Sequence, residues 1–384
     1  MEVVYKYLRG DKAIWFVVLF LALLSTLVVY SSIVTLAYKH QDGNTLYYLL
    51  RHTMFLGVGL GIVYFIHKIR YSYFSRISQL ALLVSIPLLL LTLIMGANIN
   101  DASRWLVIPV INQTFQTSDF AKLALIMYVA RMLSMRQDTI KDFKTGFLPI
   151  IVPVVVVCGL ILPANFSTAA TLFTSCLVLM FIGRVNLLHL FSMIALGVVG
   201  MALVLSIAHV APAVFPRAAT WVKRVENFQK STSDGNYQVE QSQIAIATGG
   251  ITGKGPGKST QRNFLPHPYS DFIYAIVIEE YGVFGAVAVI LLYLILVYRG
   301  VRIVVRSEKS FGAFFVMGIT FSLVFQAMIN MAVAVNLLPV TGQPLPMVSM
   351  GGTSIWFTCV AIGVILSVSS EFDNESNLLE NATA

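Results

Sequence analysis

Ionisable side chains are sparse in this sequence, and those inside its apolar runs are the ones whose type and spacing could do chemistry. Taking a charge into hydrocarbon is costly, so each is a functional candidate by default. Asp271 opens one apolar run, with Glu279 and Glu280 farther along it. On a helix, Glu279 would sit about 12 Å deeper than Asp271 and about 80° around the axis, with Glu280 on the opposite face. At that depth the two glutamates read as structural, paired with cations or backbone donors. Asp271 differs, because water and a polar substrate can reach the mouth of a span. A carboxylate there could take a proton from a substrate hydroxyl. It could equally cap the helix that follows, since Ser270-Asp271 is good capping chemistry.

Asp119 and Lys122 share one helical face by their spacing. They form either a neutralising pair that fixes packing or a site where Lys122 binds an anionic headgroup and Asp119 holds it in place. The run Gly253-Lys254-Gly255-Pro256-Gly257-Lys258-Ser259 resembles a phosphate loop only superficially. That motif needs a glycine where Thr252 stands, and no strand pattern precedes the run. ATP binding is therefore not expected, although a Gly-rich, Lys-bearing turn can offer N–H groups to another phosphate. His267, between two prolines, reads as a surface turn residue, and no second histidine lies at metal-ligand spacing.

The elements that must carry these residues are membrane helices. The chain is 57% hydrophobic and 11% charged, against roughly 25% charge in a soluble domain. Apolar runs of about 20 residues cross a hydrocarbon core. Ten such runs predict ten transmembrane helices, near 14–36, 46–66, 79–97, 117–134, 147–163, 167–184, 189–212, 271–298, 311–334 and 354–370. The fold class expected is all-α and polytopic, residues 1–370 forming one membrane domain. The first run is too long for a cleavable signal and reads as an anchor. Cys158, Cys176 and Cys359 all lie inside apolar runs, as small packing residues.

Lys6, Arg9 and Lys12, then Lys68, Arg70 and Arg76, then Arg131, Arg136, Lys141 and Lys144, then Arg184, then Arg299, Arg302, Arg306 and Lys309 fall in alternate loops. The positive-inside rule assigns those loops and both termini to the cytoplasm. The net charge of +8 thus sets topology and does not indicate nucleic acid. The long 213–270 segment between spans seven and eight lies outside, with an amphipathic stretch from Trp221 to Phe228. The acidic tail, 371–384, is expected to be cytoplasmic and disordered. No internal repeat stands out, which disfavours an inverted-repeat transporter.

The loops resemble the SEDS family of shape, elongation, division and sporulation proteins, typified by FtsW and RodA. The resemblance rests on Gly253-Lys254-Gly255-Pro256-Gly257 with Ser259, Phe264-Leu265-Pro266, Ser270-Asp271-Phe272-Ile273-Tyr274-Ala275 and Glu279-Glu280-Tyr281-Gly282. Arg104-Trp105-Leu106, Phe115 to Asp119 with Ala121-Lys122, and Asn336 to Gly342 with Pro344-Leu345-Pro346, Ser349 and Gly351-Gly352 match further blocks. The Gly-Lys-Gly-Pro-Gly form is closer to the division branch than to the elongation branch. One block departs: Pro163-Ala164-Asn165-Phe166-Ser167-Thr168 stands where the family has Pro-Asp-Leu-Gly-Thr, so the acid is absent. No catalytic role is expected of that loop here.

The resemblance implies a peptidoglycan glycosyltransferase that polymerises lipid II at the outer face of a bacterial cytoplasmic membrane. It also implies a class B penicillin-binding protein as transpeptidase partner, other divisome proteins, and a place at the division septum. A sugar hydroxyl is a poor nucleophile, and a positioned base is worth roughly 10²–10⁴-fold. The motif selects Asp271 as that base. A pyrophosphate leaving group needs neutralising charge in place of a second acid. The candidates for that role are Arg104, Lys122 (with Asp119), Arg217, Arg224, Lys258 and Arg262. No cofactor is required, though a divalent cation could share the charge. Two other readings remain: a lipid II flippase, supported by Glu279 and Glu280 at depth, and a non-catalytic scaffold that activates the transpeptidase.

Overall fold

The computed structural model describes residues 8–40, 42–99, 102–108, 113–210, 217–230, 237–307 and 310–383. In chain order come α1 (Lys12–Ser32), α2 (Val34–His40), α3 (Thr45–Ile66) and α4 (Ser72–Met95). An antiparallel sheet follows, of β1 (Ala97–Ile99), β2 (Ala102–Ile108) and β3 (Gln113–Gln116) in that spatial order. Then come α5 (Thr117–Met135), α6 (Leu148–Ile161), α7 (Phe166–Ile182), α8 (Leu187–Val210), α9 (Ala218–Lys230) and α10 (Tyr237–Gly249). The chain ends with α11 (Ile273–Arg306), α12 (Ser310–Ala334) and α13 (Thr353–Thr383).

Among the described residues, eight helices are long and apolar enough to cross a membrane. The two remaining runs read as spans are also helical but differ in kind. α5 carries Asp119, Lys122 and Arg131, and α7 is an apolar helix of only 17 residues. Three features add detail to that expectation. The helices are joined by one small sheet, of β1, β2 and β3, with Trp105 on β2 opposite both Ala97 and Gln116. Between two spans its backbone groups have no helix to satisfy them, and strand pairing does so. Among the described residues of the 213–270 segment are α9, α10 and a 3₁₀ turn at Gln261–Asn263. The tail continues α13 as helix to Thr383. Extending an existing helix avoids the cost of nucleation, so its acidic composition does not break it.

The chain divides into two compact units. The first comprises Met1–Lys68, Arg224–Arg299 and Leu323–Leu366. In it, Ile14, Val17, Val18 and Leu21 of α1 are buried at i, i+3, i+4, i+7 spacing, while Phe16 and Leu23 point outward. That stripe is what an amphipathic helix turns to its core. Asp11 caps α1, accepting from Ala13 N at 2.9 Å, and its other oxygen takes the Arg299 guanidinium at 2.6 Å.

α11 is two helices run together, broken at Gly282 (φ 66°, ψ −159°). A Cβ there would collide with the Ile251 carbonyl, and that left-handed backbone suits glycine. At the break, Glu279 O accepts from Lys254 N and Glu280 O from Gly255 N, both at 2.9 Å, while Val283 N donates to Gly250 O at 3.1 Å. The segment after α10 therefore exchanges backbone bonds with a helix interior. The second unit comprises Ile69–Lys223, Gly300–Ser322 and Ser367–Ala384. Its core includes Ala121, Leu125, Val129 and Leu133 of α5 with Leu172 and Leu179 of α7.

Candidate active site

In the first unit, Asp271 lies two residues ahead of α11 and is half-buried. The capping role open to it is not taken. The first turn of α11 is closed by the Phe272 carbonyl, which accepts from Ala275 N at 3.0 Å. The Asp271 carboxylate accepts one hydrogen bond among the described residues, from Ser270 Oγ at 2.9 Å. Its backbone, by contrast, is held at three successive carbonyls. Tyr269 O accepts from Met350 N at 2.9 Å, Ser270 O from Ser349 Oγ at 2.6 Å and Asp271 O from Asn330 Nδ2 at 2.9 Å. A fixed backbone carrying a lightly engaged carboxylate is suited to proton transfer.

Charge and aromatic groups gather beside it. Burial lowers the pKa of Arg224, and the negative charge of Asp271 opposes that shift, so the two are electrostatic neighbours. Burial raises the pKa of the Tyr269 phenol, and Asp271 and then Tyr48 raise it further. Arg224 Nη1 also donates to Val340 O at 3.1 Å. Two residues on, Gly342 (φ +67°) runs close enough that an added Cβ would stand 3.5 Å from Asp271 Oδ2.

That last loop is fastened by side chains from several helices. Asn330 also donates to Gln343 O at 2.8 Å, Gln326 Nε2 to Pro344 O at 2.9 Å, Tyr293 Oη to Pro346 O at 2.5 Å and Ser25 Oγ to Val348 O at 2.7 Å. Reading the sequence for ionisable residues passed over all four. Their signal was an amide pair, Gln326 and Asn330, at i, i+4 spacing inside an apolar run.

The glycine-rich run does not present an open phosphate cradle. Its donors are spent on the two glutamates, both almost fully buried. Glu279 accepts from Lys254 Nζ at 2.5 Å, Thr260 N at 3.0 Å, Thr260 Oγ1 at 2.8 Å and Gln261 N at 3.2 Å, and from Ser259 Oγ. Glu280 accepts from Ser31 Oγ and, at 3.3 Å, from Ser259 N. A carboxylate of the protein thus fills the place a phosphate would take, which corrects the expectation of an available N–H nest. Sequestered in this way, the glutamates no longer support a flippase. Arg262 is also engaged within the protein, donating to Ser31 O at 3.0 Å and Gly257 O at 2.9 Å. Lys258 is exposed, with no side-chain bond among the described residues.

In the second unit, Lys122 and Asp119 form an ion pair at 3.2 Å, with side chains 19% and 8% exposed. Gln116 Nε2 reaches Asp119 at 3.5 Å. Arg104 Nε and Arg217 Nη1 both donate to Ala164 O, each at 2.9 Å. Two guanidinium groups therefore converge on the block where the acid is missing. Asn165 beside it caps α7 through Thr168 N at 3.3 Å. Asp271, Arg224, Lys258 and Arg262 thus belong to the first unit, and Arg104, Asp119, Lys122 and Arg217 to the second. Among the described residues no group of three or more His, Cys, Asp or Glu could hold a metal ion.

Comparisons with known proteins bear on most of the chain. The family FTSW_RODA_SPOVE, described as cell cycle protein, matches residues 11–374. Stage V sporulation protein E of Bacillus subtilis is 32% identical over 370 residues, 95% of this chain and 98% of that one. A probable peptidoglycan glycosyltransferase FtsW of Trichlorobacter lovleyi is 32% identical over 374 residues, 95% of this chain and 94% of its own. A solved structure described as "Structural coordination of polymerization and crosslinking by a peptidoglycan synthase complex" contains a chain of the same fold. The TM-score is 0.72 at 24% identity, covering 95% of this chain and 99% of that one.

Proposed function

The chain belongs to the FtsW, RodA and SpoVE family of cell cycle proteins, and on that premise we propose that it is a peptidoglycan glycosyltransferase that polymerises lipid II. One observation carries the reading beyond family membership. Asp271 stands on a backbone tied at three successive carbonyls, with a carboxylate that caps no helix and has Arg224 as its charged neighbour.

In the reaction, Asp271 takes the proton from the 4-hydroxyl of one lipid-linked sugar. The freed oxygen pair forms the new glycosidic bond at the anomeric carbon of the other. The bond from that carbon to the lipid diphosphate breaks, and the diphosphate leaves with the electron pair. Protein cations neutralise it: Arg224 beside the base, with Lys258 and Arg262 of the same unit as further candidates. Arginine suits bidentate contact with phosphate, whereas lysine acts as a point charge. A divalent cation accompanying the diphosphate would share that role.

The finer parts of the reading rest on charge placement and kinship. Ten spans with both termini in the cytoplasm follow from the alternating basic loops. Asp271 then faces the outer surface of the cytoplasmic membrane. A class B penicillin-binding protein as partner is suggested by the fold shared with a chain of a polymerising and crosslinking complex. A septal site and other divisome partners follow from the FtsW-like loops. The test is polymerisation of labelled lipid II by the purified chain with its transpeptidase, comparing wild type with Asp271→Ala. Glycan ladders that vanish in the mutant are expected. Ladders that persist in the mutant would remove Asp271 from the chemistry.

A further inference from the structure

We propose that Asn330 is a positioning residue for Asp271, acting through the backbone on which the carboxylate stands; the inference rests on Asp271 being the base. Asn330 lies one turn from the end of α12 and is 1% exposed. Its amide nitrogen lies 2.9 Å from Asp271 O and 2.8 Å from Gln343 O, so both of its protons are committed. The two acceptors are carbonyls and fix the amide orientation, since a flipped amide would set oxygen against oxygen. A single side chain thereby joins the turn that carries the base to the loop that passes beside it.

The placement is costly in a way that packing alone does not explain. Asn330 Oδ1 is buried with no hydrogen-bond donor among the described residues. An unsatisfied buried acceptor destabilises a protein, and an apolar residue of the same size would avoid it. What an apolar residue could not do is hold both carbonyls. Gly342, one residue before Gln343, is the position whose added Cβ would stand 3.5 Å from Asp271 Oδ2. The bond to Gln343 O therefore sets the loop against the carboxylate, while the bond to Asp271 O sets the carboxylate against the loop. Reacting groups displaced by about 1 Å can lose ~10²-fold in rate. Asn330 touches no reacting atom, so its loss should fall on turnover more than on substrate binding.

The experiment measures lipid II polymerisation by the full-length chain with its transpeptidase partner, per unit of folded protein. Asn330→Asp keeps the shape but removes donors when ionised, and Asn330→Leu removes them without adding charge. Asn330→Gln keeps the donating amide on a longer arm. The expected result is a kcat lower by roughly 10–100-fold in the Asp and Leu variants, KM nearly unchanged, and partial recovery in the Gln variant. Should Asn330→Leu fail to fold, the near-isosteric Asp variant still gives the reading. Wild-type kcat in Asn330→Asp, with Asp271→Ala inactive, overturns the positioning role and leaves the base intact. Wild-type activity in Asp271→Ala overturns the base, and the Asn330 proposal with it.

Discussion

Removing the Glu279 carboxylate should unfasten the glycine-rich segment from α11. In Glu279→Ala five donors lose their acceptor: Lys254 Nζ, Ser259 Oγ, Thr260 N, Thr260 Oγ1 and Gln261 N. They are not equally expensive to abandon. The Lys254 side chain is 27% exposed and can return to water, and Thr260 is exposed as well. Ser259 is 3% exposed and cannot. Breaking a buried pair from one side costs about 3–5 kcal/mol, and partial rehydration of the donors places this case near ~3 kcal/mol. Lys254→Ala should cost less, because Glu279 keeps four donors. Thermal unfolding in detergent, paired with limited proteolysis across 250–262, reads both effects. An alanine variant that melts with the wild type and resists protease equally well would refute the reasoning.

Two further perturbations test other joints. Gly342→Ala forces an L side chain to φ +67°, a conformation costing roughly 1–2 kcal/mol; Gly342→Asn should recover part of that stability because Asn tolerates the region, yet polymerise poorly with a larger group beside Asp271. Equal melting of the Ala variant and wild type would contradict this. Asp11→Ala should lose about 1 kcal/mol of capping and also the Arg299 pair, whereas Asp11→Asn should keep the cap and lose only the ionic part. Identical melting of the two variants would show that the cap contributes nothing, and wild-type melting of Asp11→Asn would show the same of the pair.

The long helices were legible because hydrocarbon enforces one rule, an apolar run of sufficient length, and Lys12–Ser32 or Ser310–Ala334 obey it plainly. β1 to β3 were not, because β1 and β3 are only three and four residues long and β2, Ala-Ser-Arg-Trp-Leu-Val-Ile, does not alternate. Asp271 could be singled out by position and motif, but its freedom from capping depended on where α11 begins, at Ile273 and not before. The fate of the glycine-rich run was hidden for a different reason. Its spacing described N–H groups that could hold an anion, and composition cannot say whose anion arrives. Asn330 was passed over because amides carry no charge, although an amide in an apolar run has the same need for partners.

The break at Gly282 leaves the part of α11 before it without a complete internal set of backbone hydrogen bonds. Without the N–H groups of Lys254 and Gly255, the carbonyls of Glu279 and Glu280 would be buried and unpaired, and a buried unpaired carbonyl is costly. The segment that supplies those N–H groups precedes α11 in the chain, so the helix is completed by residues outside it. A chain nicked within that segment would leave α11 short of backbone partners as well as altering the surface.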